Sequence, residues 1–215
     1  MPTPVAFPLS DSQIKCLQNG AIMIFPTETI YGIGCSAWCE ESLWKIFEIK
    51  GRAADTPPPI LIYDTQQLST LVAYISRPAS LLMEKYWPGA LTLILPSHPD
   101  LPASLSGFSA DLKIRTVGIR QTAHPISRAL CRQIDAPLIA TSANFSGATG
   151  RAAAPESLDD IPEDFQDQAG MIVDGGVLRG VPSTIVDCTS NPPRVLRAGA
   201  VFISDEELRN LSERK

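Results

Sequence analysis

Short apolar runs recur at 21–25, 59–63, 90–95, 115–120, 137–140, 171–174, 183–187 and 194–197. Most are rich in Val, Ile and Leu and carry Pro or Gly at their edges, the pattern of buried strands. Nineteen prolines, well above the usual ~5% of residues, bracket these runs and imply many short elements with tight boundaries. Between the early runs the period becomes helical. Residues 40–50, EESLWKIFEIK, place Leu43, Ile46 and Phe47 on one face; 77–87 has Pro78 near its start; 125–134 repeats the pattern. Ser204 and Glu207 stand at capping-box spacing and predict a terminal helix. Strands that alternate with helices and then crowd together predict one α/β domain with a mixed sheet over 10–203, then a C-terminal helix and tail over 204–215. The weakly apolar stretch 148–168 is expected to be an exposed connection.

At 215 residues and 44% hydrophobic, the chain can bury a substantial core. No apolar run approaches the ~20 residues of a membrane span, and the first residues lack a basic start and a long apolar stretch. Neither a membrane partner nor a secretory signal is expected. Five scattered cysteines, Cys16, Cys35, Cys39, Cys131 and Cys188, read as reduced thiols of a cytoplasmic protein. Cys35 and Cys39 lack a second pair at zinc spacing and read as small buried residues, so no protein-held metal is expected. A net charge of −5 weighs against a broad nucleic-acid surface and leaves at most weak RNA binding.

Several strands end in polar residues. After the run at 21–25 comes Pro26, then Thr27, Glu28 and Thr29, then Tyr31 and two glycines. This is either a polar turn or one wall of a site. Lys50 falls on the apolar face of the 40–50 helix, just before the helix stop Gly51 and a second cation, Arg52. The pair reads either as favourable charge at a helix end with a snorkelling Lys stem, or as an anion clamp. On the second view, Lys50→Ala would cost turnover and would even stabilise the fold, by removing a cation from an apolar helix face. The run at 137–140 ends in Thr141, Ser142, Asn144 and Ser146, which suit either turn chemistry or the orientation of a ligand at a strand end. Ser183 and Thr184 open one late strand and Arg197 ends another. Asp174-Gly175-Gly176 reads as a turn, and His124 before Pro125 as a helix start. The chain has no glycine-rich nucleotide fingerprint, no G-x-S-x-G elbow and no histidine placed for a catalytic triad. Charge clamping is the chemistry these residues support.

Seven segments in this order, PTETIYGIG, KGR, WPGALTLIL, VGIR, ATSANFSG, STIVD and VLRAG, resemble the YrdC family, the threonylcarbamoyl-AMP synthases. The resemblance runs from about Phe25 to Ala200 and looks like the short, single-domain form. It implies an open, twisted mixed sheet with flanking helices around a large concave cavity. It implies a reaction in which L-threonine, bicarbonate (or CO2) and ATP give threonylcarbamoyl-AMP and pyrophosphate, with Mg2+ carried on ATP. A separate tRNA threonylcarbamoyl transferase complex would then use the product. By motif, Lys50, Arg52, Ser142 and Asn144 match the catalytic positions. Thr29, Arg120 and Ser183 look like the threonine-side positions, and Arg52, Thr56, Thr116, Asn144 and Arg197 like the ATP-side positions. PTET is implied to wall the threonine pocket, with Tyr31 packing or donating nearby. The chain departs from the family pattern at Ala53, Ala90, Gln121 and Ala198, where Pro is usual, and at Thr56, Pro58 and Leu61. Two alternatives are a paralogue of the same superfamily without synthase activity, which the S-x-N pair of Ser142 and Asn144 argues against, and an RNA-binding or ribosome-assembly module, which the acidic balance argues against.

Overall fold

The computed structural model describes residues 3–51 and 57–213. In chain order the elements are α1 (Asp11–Gln18), β1 (Met23–Phe25), β2 (Gly32–Gly34), α2 (Glu40–Lys50), β3 (Ile60–Ile62), α3 (Arg77–Tyr86), β4 (Leu91–Pro96), β5 (Gly107–Ser109) and β6 (Ile114–Gln121). They continue with α4 (Pro125–Gln133), β7 (Leu138–Ile139), β8 (Thr141–Ser142), α5 (Glu163–Gln166), β9 (Met171–Ile172), β10 (Thr184–Asp187), β11 (Arg194–Arg197) and α6 (Asp205–Glu213). Every apolar run noted in the sequence contains a strand, and the four expected helices are present. None of the described helices is long and apolar enough to cross a membrane.

The strands divide over two mixed sheets. The smaller has the order β8-β2-β1-β9, and the larger β11-β10-β4-β6-β3-β7 with β5 beside β6. Both contain parallel and antiparallel pairs: β1 runs parallel to β9 and antiparallel to β2, and β6 runs parallel to β3 and antiparallel to β4. Period-two alternation in β1 feeds two cores. Met23 and Phe25 pack with Leu17 of α1 and with Leu130 and Cys131 of α4. Ile24 joins Ile33 and Leu43, Ile46 and Phe47 of α2 on the other face.

Local chemistry explains the helix ends. Gly51 closes α2 in the left-handed region at φ 60°, where a side chain is unfavourable. Ser76 caps α3 through the Ala79 amide, and Pro125 follows the N-cap His124 in α4. Ser204 accepts from the Glu207 amide, but the Glu207 carboxylate reaches Lys85 and Tyr86 of α3 instead of completing the box. Leu208 of α6 is buried in the main core.

Two expectations are corrected. The stretch 148–168 is not an exposed connection: Ile161 and Phe165 are buried, and Phe165 meets the Phe145 ring edge-on at 4.9 Å. Few apolar residues suffice there because they are spaced to turn inward together. The helix α1 was not expected, although Ser10 and Gln13 form a reciprocal capping box at its start.

Candidate active site

The chain passes from the large sheet to the small one within a few residues. β7 pairs with β3, Ala140 follows, and β8 then pairs with β2 so that Gly32 lies opposite Ser142. The two polar strand ends, Thr27–Tyr31 and Thr141–Asn144, are therefore neighbours. Close approach is enforced at Gly34, where any side chain would run into the Ile139 carbonyl.

Between the sheets lies a cavity of about 590 Å3. Its floor is one face of the large sheet. On β6, Thr116, Gly118 and Arg120 line it, while Val117 and Ile119 turn into the core. On β4, Thr92 and Ile94 line it, while Leu91, Leu93 and Leu95 are core residues. Thr116 and Arg120 are thus separated by about 13 Å along the strand, at ~3.3 Å per residue. Thr27, Thr29, Tyr31, Thr141 and Ser142 contribute from the small sheet side.

At one end, Arg120 donates from its NH1 to the Thr29 hydroxyl at 3.1 Å. Thr27 gives its proton to the Ile30 carbonyl at 2.7 Å, so the 2.8 Å bond between the two threonines takes its proton from Thr29. The lone pairs of Thr29 then face Arg120. Turn chemistry and site geometry coexist here, since Thr27 also accepts from the Thr29 and Ile30 amides. Arg197 donates to the Ser183 carbonyl at 2.8 Å and to its hydroxyl at 3.2 Å, and Ser183 meets the Thr92 hydroxyl at 2.9 Å. Burial, and then the neighbouring Arg120, lower the proton affinity of Arg197. Two guanidiniums therefore converge on this end, the arrangement of an anion site.

Lys50 turns inward and is only 4% exposed, which overturns the snorkelling alternative. Its ammonium donates to the Ser142 carbonyl at 2.7 Å, the Asn144 carbonyl at 2.8 Å and the Asn144 side-chain oxygen at 3.2 Å. Lys50 pins the 142–144 turn from behind, and Ser142 faces the cavity in front of it. Tyr31 lines the cavity with its ring, while its hydroxyl donates toward Asp174 and Gly176 and accepts from the Gly175 amide. Burial raises its proton affinity well above the ordinary phenol range. The Asp174-Gly175-Gly176 turn is closed by the Gly176 amide on Asp174, as expected.

At the other end, Thr116 pairs with Gly107 of β5 beside the well-exposed Phe108 ring. Phe108 and Leu196 give the cavity an apolar rim. A family model described as telomere recombination and named for Sua5, YciO and YrdC matches residues 15–199. The chain belongs to the Sua5/YciO/YrdC family.

Within this family, a threonylcarbamoyl-AMP synthase of Pyrococcus abyssi is 38% identical over 192 residues, covering 89% of this chain and 54% of that protein. A threonylcarbamoyl-AMP synthase of Bacillus subtilis is 38% identical over 188 residues, covering 86% and 51%. The chain thus spans about half the length of these curated relatives. The crystal structure of P. abyssi Sua5 complexed with L-threonine superposes with a TM-score of 0.82 at 37% identity, covering 94% of this chain and 56% of that one.

The Sua5/YciO/YrdC fold brings Thr29, Thr116, Arg120, Ser142, Ser183 and Arg197 to one cavity. Lys50 and Asn144 stand immediately behind its Ser142 wall. Arg52 and Thr56 lie outside the described residues. Ser183, matched by motif with Thr29 and Arg120, lines the same end of the cavity and bonds there with Arg197 and Thr92. Sequence reasoning missed Thr92, Phe108 and Leu196, while Thr27 of the PTET segment lines the cavity. The alternation of Thr92 and Ile94 with three leucines was the available signal for a strand with one polar face.

Proposed function

We propose that this chain is a nucleotidyltransferase that joins L-threonine, bicarbonate (or CO2) and ATP into L-threonylcarbamoyl-AMP, with release of pyrophosphate. The observation that carries this reading is the convergence of Arg120 with Thr29 and of Arg197 with Ser183 on one end of a single cavity, with Thr116 and the Phe108 rim at the other. The names of the two relatives and the binding of L-threonine by P. abyssi Sua5 support it. A volume of about 590 Å3 falls within the ~300–1,000 Å3 of small-molecule sites.

Arg120 and Thr29 are assigned to the amino-acid carboxylate, and Phe108 and Leu196 to the face of the nucleobase. The threonine amine adds to CO2 to form a carbamate, losing a proton. A carbamate oxygen then attacks the α-phosphorus of ATP, and the bond to pyrophosphate breaks. Both partners are anionic, so bringing them together in a cation-lined cavity supplies proximity and offsets their repulsion. The described lining offers hydroxyls and guanidiniums but no carboxylate, a donor set suited to Mg2+ carried on the ATP phosphates, where it neutralises charge. We further propose that the product passes to a tRNA threonylcarbamoyl transferase complex in the cytoplasm. The test is incubation of the purified protein with ATP, L-threonine and labelled bicarbonate. Labelled threonylcarbamoyl-AMP with stoichiometric pyrophosphate is expected; threonine-independent ATP consumption, or release of ADP and phosphate, would defeat the reading.

A further inference from the structure

Behind Arg120 lies Glu28, the acidic residue of the Pro26–Thr29 segment, which no role above requires. Both side chains are largely buried, at 8% and 14% exposure, and the Arg120 NH1 stands 3.4 Å from Glu28 Oε1. This is a charge contact short of a hydrogen bond, since Glu28 Oε1 and Arg120 Nε are both buried without hydrogen-bond partners. The carboxylate is anchored from its other oxygen, which accepts from the Thr122 hydroxyl at 2.6 Å. Thr122 is itself fully buried and fixed by its amide to the Ile62 carbonyl. The hydroxyl thus stands two residues beyond Arg120 and holds Glu28 against the end of the strand that carries the guanidinium.

Burying a carboxylate costs several kcal/mol unless its surroundings compensate. A better-paired fork would stabilise the fold more than this loose contact does, so stability alone does not account for it. The charge of the site does. Among the described residues that line the cavity, Arg120 and Arg197 are the only charged ones. His124, close to Glu28, is held toward its neutral form by burial, against the pull of that carboxylate. Among the described groups at this end, the two guanidiniums less the Glu28 carboxylate leave a single positive charge, with Lys50 bound apart behind the Ser142 wall.

We propose that Glu28 is a positioning residue that directs Arg120 at the cavity and trims this end to one net positive charge, so that it selects a monoanionic amino-acid carboxylate over a phosphate dianion. This role rests on the reading of Arg120 as the carboxylate-binding group. It solves a problem particular to a cavity that must hold a carboxylate and a polyphosphate side by side: with two uncompensated guanidiniums, phosphate would occupy the amino-acid end.

The test is binding of L-threonine and its displacement by inorganic phosphate at pH 8, by calorimetry, without nucleotide. Wild type should bind L-threonine and resist phosphate. Glu28→Gln keeps the shape and a hydrogen bond but removes the charge. A unit charge within ~4–6 Å shifts a proton affinity by about one to three powers of ten, so phosphate should displace L-threonine at concentrations about tenfold lower or less. Glu28→Asp should retain phosphate rejection. Thr122→Val, which removes the anchor but not the charge, should weaken L-threonine binding severalfold and leave the phosphate preference alone. Equal loss of both ligands in Glu28→Gln with a lowered melting temperature would mark Glu28 as structural, and no change in either would remove any role. Either result overturns the inference while the amino-acid reading stands. If wild type does not bind L-threonine at all, both fall. Should Glu28→Gln fail to fold, persistence of phosphate rejection in Glu28→Asp, against its loss there, decides the matter.

Discussion

The ammonium of Lys50 donates to the carbonyl oxygen of Asn144 at 2.8 Å, across 94 residues of sequence. A helix end and the turn after β8 are thereby fastened to each other, and the ammonium that joins them also stands 3.5 Å from the Ser142 hydroxyl. Structure and charge reside in the same group.

Lys50→Met removes both at once. Sequence reasoning expected no loss of stability from removing a cation from an apolar face. The geometry reverses that expectation, because the Ser142 and Asn144 carbonyls would lose their donor. Stability should fall by about 1–3 kcal/mol, the cost of leaving buried acceptors unpaired, and turnover should fall with it. Chemical denaturation and steady-state rates on one preparation check this. Unchanged stability would show that water or another donor replaces the ammonium.

Arg120→Lys preserves charge but removes the planar fork. The KM for L-threonine should rise by roughly ten- to a hundredfold, the scale of one charge-assisted bond at about 1.5–3 kcal/mol. Since Arg120 is assigned to ground-state binding, kcat should change much less. A fall in kcat with KM preserved would move Arg120 from binding to chemistry.

Gly34→Ala tests the junction of the sheets. Its Cβ would run into the Ile139 carbonyl and lie 3.1 Å from Phe25. Overpacking of this kind costs about 1–3 kcal/mol, so the variant should melt lower while Gly51→Ala, at an open helix end, acts only through its left-handed backbone. Comparable melting of wild type and Gly34→Ala would mean that β2 and β7 separate readily.

Substrate choice follows from the small polar enclosure around Thr29 and Ser183. Serine, lacking one methyl group, should be used roughly 10- to 200-fold less efficiently in kcat/KM. Valine, lacking the hydroxyl, should fare worse still if that group is hydrogen-bonded. Competition assays with the three amino acids give the ratios directly; equal use of valine and threonine would misplace the pocket.

The thiols predict an alkaline limit. Burial pushes Cys35, Cys131 and Cys188 up to about 12 from an ordinary value of 9.0. In the unfolded chain these thiols ionise near 9; in the folded protein they stay protonated. Their contribution to stability is therefore complete below pH 9 and is lost as pH rises from there toward 12. Denaturation midpoints at pH 8, 9 and 10 should decline accordingly. At pH 8 a disulfide reagent should react first with exposed Cys16, and Cys16→Ser should abolish the fast phase.

Much of this was legible beforehand because burial writes itself into short apolar runs. All eight contain strands, and the helix over 40–50 ends where Gly51 says it should. The strands that escaped notice, β2, β5 and β8, consist of Gly, Thr, Ser and single apolar residues. Their pairing is dictated by partners distant in the chain, and no local period announces it. The same limit applied to the site. Arg120 and Arg197 stood at strand ends in the sequence, but only the crossing at Ala140 reveals that Ser142 faces them across one cavity. The division of the strands into two sheets was invisible for the same reason, since a two-residue strand carries too few side chains to declare which sheet it joins.

The shared strand β7 has a mechanical consequence. One edge of it bonds to β3, and on the other side Leu138 bridges Ser36 while the Ile139 amide reaches the Cys35 carbonyl. The two cavity walls are thus stitched along one line, like leaves along a spine, and the Arg120–Thr29 and Thr122–Glu28 bonds form a clasp between them. With that clasp released, splaying of the walls is a rotation about that line, and displacement grows with distance from it. Ser142, a few residues from the stitch, keeps its place. Arg197, on the opposite edge of the larger sheet, travels farthest, so the width of the opening is registered chiefly at its guanidinium.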